Sequence, residues 1–273
     1  MKKIFSLLLA TASLSTGFTQ TATLPKGKQI TIVTSLDQNI DMGMQMTTKS
    51  TSTNKVAVIS VDSKNYTLSN TVDKFLFNGN MMGKEIKFDS EKKEDRDSEE
   101  GKQFGALVGK TDTVLIDIAT CVAADNKKKS TSEVTETDNP MAGMMGGMSE
   151  GNAAIAGSIL FKIPAPLKKG NTWKDSSDIK GMKANTTFII EEITNGVATV
   201  KSKGTVKGTA TMEAQGNSMD MTMDTKTDGK IWVDIKTNLV KKRTNVADIS
   251  GTIEVGGQSM PFTSKTTTES TYQ

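Results

Sequence analysis

Polar and hydrophobic positions alternate through most of the chain, and turn-forming Gly, Asn and Asp interrupt them every 8 to 12 residues, the pattern of antiparallel β-structure. "KQITIVTSL" (28–36) reads as a strand. "KVAVISVDSKNYTLSNTV" (55–72), "FIIEEITNGVATVKSKGTV" (188–206) and "GKIWVDIKTNLVKKRTNV" (229–246) each read as strand, turn and strand. Their turns, "DSKN", "TNG" and "DIKTN", supply the residues that tolerate positive φ or form Asx hydrogen bonds. Two segments carry methionine at alternate positions. In "SMDMTMD", Met219, Met221 and Met223 share one face of a strand against Asp220, Thr222 and Asp224; in "DMGMQMT", Met42, Met44 and Met46 are placed in the same way.

The β pattern breaks twice. "EKKEDRDSEEG" (91–101) reads as a solvated charge run that leads into a short helix over roughly 97–108, with Phe104, Leu107 and Val108 as its apolar stripe. After Val122, a Lys/Ser/Thr-rich and then Met/Gly-rich stretch lacks any period and reads as a long mobile insertion, with a second short helix in "NAAIAGSILF". The insertion divides the chain into a first β half (23–122), a loop (123–150) and a second β half (151–273). "LPKGKQITI" and "LKKGNTWKD" open the two halves alike, and "MMGKEIKFDS" and "SMDMTMDTK" fall at corresponding places late in each. This suggests two related halves that pack as one domain. The expected class is all-β and mainly antiparallel: a curved sheet or half-barrel with one or two short helices.

The N-terminus changes the setting. Two lysines precede an apolar run from Ile4 to Leu14, followed by small and polar residues. That run is shorter than the roughly 20 residues a membrane helix needs, and its flanks are those of a secretory signal peptide over residues 1–22. The expected location is therefore the periplasm or the cell exterior, with no membrane span.

Composition narrows the chemistry. Lys and Arg number 34 against 31 Asp and Glu, interspersed, so no field points to nucleic acid or a charged membrane surface. Histidine is absent, which removes the commonest general base and the commonest transition-metal ligand. The single cysteine, Cys121, lies in the strand-like run "TVLIDIATCV" and reads as a small buried hydrophobe. No phosphate loop, nucleophile elbow or triad is present. The expectation is a non-enzymatic protein without a cofactor.

The methionines then hold the candidate chemistry. As strand faces, the triplets Met42, Met44, Met46 and Met219, Met221, Met223 line the interior of the sheet and suit an apolar ligand or envelope partner of varied shape. Thioethers also bind Cu(I). The better candidate for that is the loop "PMAGMMGGMSEG", whose Met141, Met144, Met145 and Met148 have no strand face to fill. A metal-binding protein and a structural or surface-interaction module are the alternative readings. "DTKTDG" (224–229) has some acidic spacing of a calcium loop but reads as a hairpin turn. Asp89 and Asp234 read as turn caps, and Trp173 and Trp232 as core anchors.

The order "EIKFDS", "ALVGKTDTVLI", "LFKIPAPLKKGNTW", "GKIWVDIKTNLV" resembles a family of exported Bacteroidota proteins that carry a domain of unknown function. Gly170, Asn171 and Trp173 stand where that family usually has a Gly-Asp-x-x-Trp start. The family is similar in strand and turn pattern to the lipoprotein carriers. The resemblance implies their architecture, a curved antiparallel sheet around a hydrophobic cavity covered by short helices. It implies no catalytic residue.

Overall fold

The computed structural model describes residues 24–81, 83–123, 155–179, 182–214, 217–255 and 258–273. They form one antiparallel sheet of eleven strands: β1 (Gln29–Asp41), β2 (Gln45–Val61), β3 (Asn65–Met81), β4 (Lys84–Asp89), β5 (Thr111–Asp117), β6 (Thr172–Ile179), β7 (Met182–Thr194), β8 (Val197–Ala214), β9 (Asn217–Asp234), β10 (Val240–Val255) and β11 (Gln258–Tyr272). The order is β4-β3-β2-β1-β11-β10-β9-β8-β7-β6, with β5 paired to β3. Two meanders are thus joined where β1 meets β11, and the sheet stays open between β4 and β6. The expected all-β class holds. The proposed signal peptide, and the insertion apart from Ala123, lie outside the described residues.

Turn chemistry sets the hairpins. Asn195 and Gly196 both take positive φ, 50° and 77°, between β7 and β8, as a tight hairpin requires. Between β9 and β10, Asp234 accepts hydrogen bonds through Oδ1 from the backbone N–H of Lys236 and Thr237 and from the Thr237 hydroxyl, while Asn238 takes φ 58°. Asp62 and Asp89 cap their turns in the same way. The openings of the two meanders also match. Gly27 and Gly170 both have φ 85°, and each donates its N–H to the partner strand, to Val58 O and Ile190 O respectively.

Asp234 gives a pH prediction. Burial pushes its carboxyl up, but the Thr237 and Lys236 hydrogen bonds and the charge of Lys241 outweigh this and hold it below the usual carboxylate range. A folded-state value below the unfolded one, about 3.9, means that the stabilisation is present above that pH and is lost as pH falls through the folded value. Asp234→Ala is therefore expected to be less stable than the native chain at pH 7. Urea denaturation should show the difference narrowing below about pH 4.

Cross-strand partners share a face, so the register divides the sheet into an inner and an outer side. The outer side alternates charge across strands: Lys49 pairs with Asp37, Lys207 with Asp224, and Lys242 with Glu269. The inner side changes character along the strands. At one end, here the base, it is aliphatic: Ile30 and Ile32 of β1, Val56 and Val58 of β2, Leu68 of β3, Val200 of β8 and Ile231 and Val233 of β9 are all buried. These belong to a single cluster that also includes Ile190 of β7 and Val114 and Ile116 of β5. On a flat sheet β3 and β7 would lie about 33 Å apart, seven strand spacings. One cluster can hold both only because the base of the sheet curls around the segment Ala156 to Ile163, which fills the curl.

That plug is tied on both sides. Ile159 O accepts from Val240 N–H, Phe161 N–H donates to Asn238 O, and the Ser158 and Tyr272 hydroxyls are 2.8 Å apart. Lys162 Nζ donates to Ala119 O beyond β5. Of the helix expected in "NAAIAGSILF", the described residues 155–157 are helical. The helix ends there because the following residues pair with the β9–β10 turn, with Leu160 bridged to Leu239.

A second cluster covers the inner side of β3 and β4. Phe104 sits 4.7 Å from Phe77, 5.2 Å from Phe88 and 5.8 Å from Phe75 between ring centroids. The helix expected over 97–108 is two pieces, α1 (Lys93–Asp97) and α2 (Glu99–Gly105). Ser98 breaks it with extended backbone, ψ 160°, and caps α2 by accepting from Gly101 N–H.

Three local readings are corrected. "DTKTDG" is no turn but the middle of β9, where Thr225 and Thr227 face in while Lys226 and Asp228 face out. Cys121 is buried, and burial pushes its thiol up, but it follows β5 in a turn with φ 59°. Asp117 stops the strand there by accepting from Thr120 N–H and hydroxyl. Trp173 packs against the basal cluster, stacked on Phe188 at 5.2 Å. Trp232 instead lies on the outer side with Lys242 over its ring at 5.8 Å, because its strand neighbours Ile231 and Val233 take the inward positions.

Glycine is required where β10 passes close to β9 and the Phe262 ring. A Cβ on Gly251 would stand 2.1 Å from Thr222 O and 2.7 Å from the Phe262 ring. Since the obstacle is a neighbouring backbone, Gly251→Ala is expected to cost about 1–3 kcal/mol, read as a lower urea midpoint with an unchanged slope.

Candidate functional site

Beyond the basal cluster, the inner side of the central strands turns first small and polar, then apolar again. Across β10, β9 and β8, Asn245, Gly229 and Ser202 form one row and Ala247, Thr227 and Gly204 the next. Thr34, Ser52, Thr268 and Ser270 continue this band on β1, β2 and β11. Past it, three rows hold the methionines of β9. Met223 aligns with Gly208, Gly251 and Phe262; Met221 with Ala210, Ile253 and Met260; and Met219 with Met212 and Val255.

Here Met221, Met223, Ile249, Ile253 and Phe262 are half-buried and Met260 is 46% exposed. Other strand ends here carry methionine too: Met42 and Met44 between β1 and β2, Met46 at the start of β2, Met81 at the end of β3, and Met182 at the start of β7. None of the methionines among the described residues belongs to the basal cluster.

The two triplets fare differently. Met221 and Met223 share a strand face, as their alternation requires. Met42, Gly43 and Met44 form the turn between β1 and β2, with Gly43 at φ 80° and its N–H donated to Asp41 Oδ1. Only Met46 of that set lies in a strand, and it is buried opposite Ile40. Asp41 and Gly43 favour the turn, which overrides the alternation. The loop methionines Met141, Met144, Met145 and Met148 lie outside the described residues, and no group of three His, Cys, Asp or Glu that could hold a metal occurs among the described residues.

Among the described residues the hollow at the distal end is neither enclosed nor wholly apolar. The larger hollow, about 560 Å³, spans β1, β2, β9, β10 and β11 near Met46 and Ile40, and its lining includes Asp41, Asp224, Asp248, Lys226 and Lys265. Inward and outward residues of adjacent rows both contribute. The apolar surface of β8 to β11 is an open face.

One charged side chain interrupts that face. By register, Arg243 is the only charged residue that β1, β2, β3 and β7 to β11 place on the inner side among the described residues. It stands opposite Ile231 on β9 and Ser270 on β11, where the basal cluster gives way to the polar band. The irregularity between Val240 and Lys242 puts it there: Lys242 turns out to Glu269, and Arg243 turns in. It is half-buried, and its Nε–H is buried without an acceptor. Leaving such a donor unmatched costs about 1–3 kcal/mol, and more when it is charged. Sequence reading missed Arg243 because "KKRTN" looks like an outward charge run, and only the bulge shifts its phase.

The class defined by this geometry is an open, curled antiparallel sheet, plugged at the base and presenting an apolar inner face. Residues 157–240, which include all of the plug but Ala156 and β6 to β9, match the model of a family of unknown function (DUF6263). Comparison with curated proteins gives no match. Among solved structures, the chain is similar to lipovitellin at 9% identity and a TM-score of 0.50 over 91% of its length, which shows the shared sheet fold. It spans 25% of the lipovitellin chain. OpdQ of Pseudomonas aeruginosa (7% identity, 92% of this chain and 99% of that one, TM-score 0.23) and an outer membrane channel of Pseudomonas putida (7%, 93% and 98%, 0.22) also match.

Proposed function

We propose that this is an exported, non-enzymatic β-protein that binds an apolar ligand on the inner face of its curled sheet. The observation behind this reading is the distal face of β8 to β11, where Met221, Met223, Ile249, Ile253 and Phe262 stay partly open to solvent while the base is close-packed. Apolar surface left in water on one contiguous face marks a binding surface. Methionine suits it, since an unbranched thioether adapts to ligands of varied shape. Lipovitellin, whose structure concerns lipid–protein interactions, shares the sheet architecture, and that supports the choice of ligand only so far as architecture goes.

Mass spectrometry of small molecules extracted from the full chain purified from its native host tests the reading. A lipid or other apolar compound at near-stoichiometric amount supports it. Its absence, together with no binding of a fluorescent fatty-acyl probe, overturns it.

A further inference from the structure

We propose that Arg243 is the recognition site for the anionic headgroup of the ligand, which makes the ligand class an amphiphile with a carboxylate or phosphate head and an apolar tail. The inference rests on the apolar-ligand reading above and adds the polar end to it. A guanidinium is a planar fork that matches two oxygens of one anion, and it is always charged. On the outer side of this sheet, basic residues meet acidic partners across strands, as Lys49, Lys207 and Lys242 do. Arg243 meets none: its cross-strand neighbours are Ile231 and Ser270, and its buried Nε–H has no acceptor among the described residues.

The surroundings suit a headgroup. Ser270 Oγ is 2.9 Å from Thr34 Oγ1, so a pair of hydroxyl groups stands at the position across from Arg243 on the β11 side. On the other side Gly229, Asn245 and Ser202 keep the inner surface small and free of charge. From the row of Ile231 to that of Met223 is eight residues along β9, about 27 Å of strand. A tail directed that way lies over Thr227 and Thr225 and points toward Met223, Ile253 and Met221. A head anchored at Arg243 thus leaves the tail aimed at the apolar face and away from the plugged base.

Binding of three probes with one tail separates the possibilities: dodecanoate, dodecyl phosphate and dodecanol, each below its micellar concentration, titrated by calorimetry into the full chain and into Arg243→Met and Arg243→Lys. In the native chain both anions are expected to bind at least tenfold more tightly than dodecanol. Arg243→Met should bind all three equally, at the affinity the native chain has for dodecanol. Arg243→Lys should keep part of the preference, because it retains the charge and loses the fork. Arg243→Met removes a half-buried, unpaired charge, so it is expected to unfold at no lower a temperature than the native chain. Equal binding of all three by the native chain, or a preference that survives in Arg243→Met, overturns the headgroup site and leaves the apolar-ligand reading standing. Binding of none overturns the headgroup site, and failure of the fluorescent fatty-acyl probe alongside it overturns the apolar-ligand reading as well. Inorganic phosphate that binds as tightly as dodecyl phosphate would make Arg243 a free-anion site and overturn the amphiphile assignment.

Discussion

Ile159→Ala is expected to lower stability by about 2–5 kcal/mol, the range for removing a fully buried aliphatic side chain down to Cβ. At roughly 2–4 °C per kcal/mol for a chain of this size, the melting temperature should fall by roughly 5–15 °C. The large value follows from where the residue sits. Ile159 is fully buried in the cluster that joins strands of both meanders, and its backbone oxygen holds Val240 N–H at the start of β10. The sheet curls around it from both sides, so neither wall can collapse into the vacated space without uncurling. Thermal unfolding followed by circular dichroism measures the change. A loss below about 1 kcal/mol would mean that the plug is peripheral and that the two meanders hold each other without it.

The double substitution Met221→Asp and Met223→Asp is expected to abolish binding of a fatty-acyl probe, a loss of at least a hundredfold, with little change in melting temperature. Both residues lie at the distal end of β9, half-buried, and outside the basal cluster that holds the fold. Two carboxylates there would have to lose water against an apolar tail, and an unpaired charge resists that strongly. Stability should change little because each Asp can keep its water in the unliganded protein. The paired control, Asp220→Ala and Thr222→Ala on the outer side of the same strand, should bind as the native chain does. Equal loss in both variants would place the binding surface elsewhere.

Alternation made most of the strands legible. β2, β3, β7, β8, β9 and β10 were readable with their turns, because a half-buried antiparallel strand writes its two environments into successive residues. Aspartate and asparagine at Asp62, Asn195, Asp234 and Asn238 carry their turn chemistry locally, so those hairpins were readable too. Where local cues conflicted, the reading failed. Asp41 and Gly43 made a turn inside an alternating methionine run. "DTKTDG" holds turn residues yet runs straight through β9, because strands on both sides claim its hydrogen bonds.

The candidate site was legible only in part. Met219, Met221 and Met223 were found by their spacing, but the partners that complete their face, Ile253, Met260 and Phe262, come from strands whose register no single segment encodes. Arg243 was invisible for a related reason: one irregularity after Val240 reverses which of two adjacent basic residues turns inward.

By itself the sequence determined an antiparallel all-β protein with no histidine chemistry and offered two methionine faces, since residue types and a period of two are local properties. Tertiary structure alone decided that β1 joins β11, that the base curls around Ala156 to Ile163, and that Arg243 faces in with no partner for its Nε–H among the described residues. Those outcomes depend on which distant strands share hydrogen bonds and which apolar surfaces must meet to leave water, and such choices are made by the whole sheet at once.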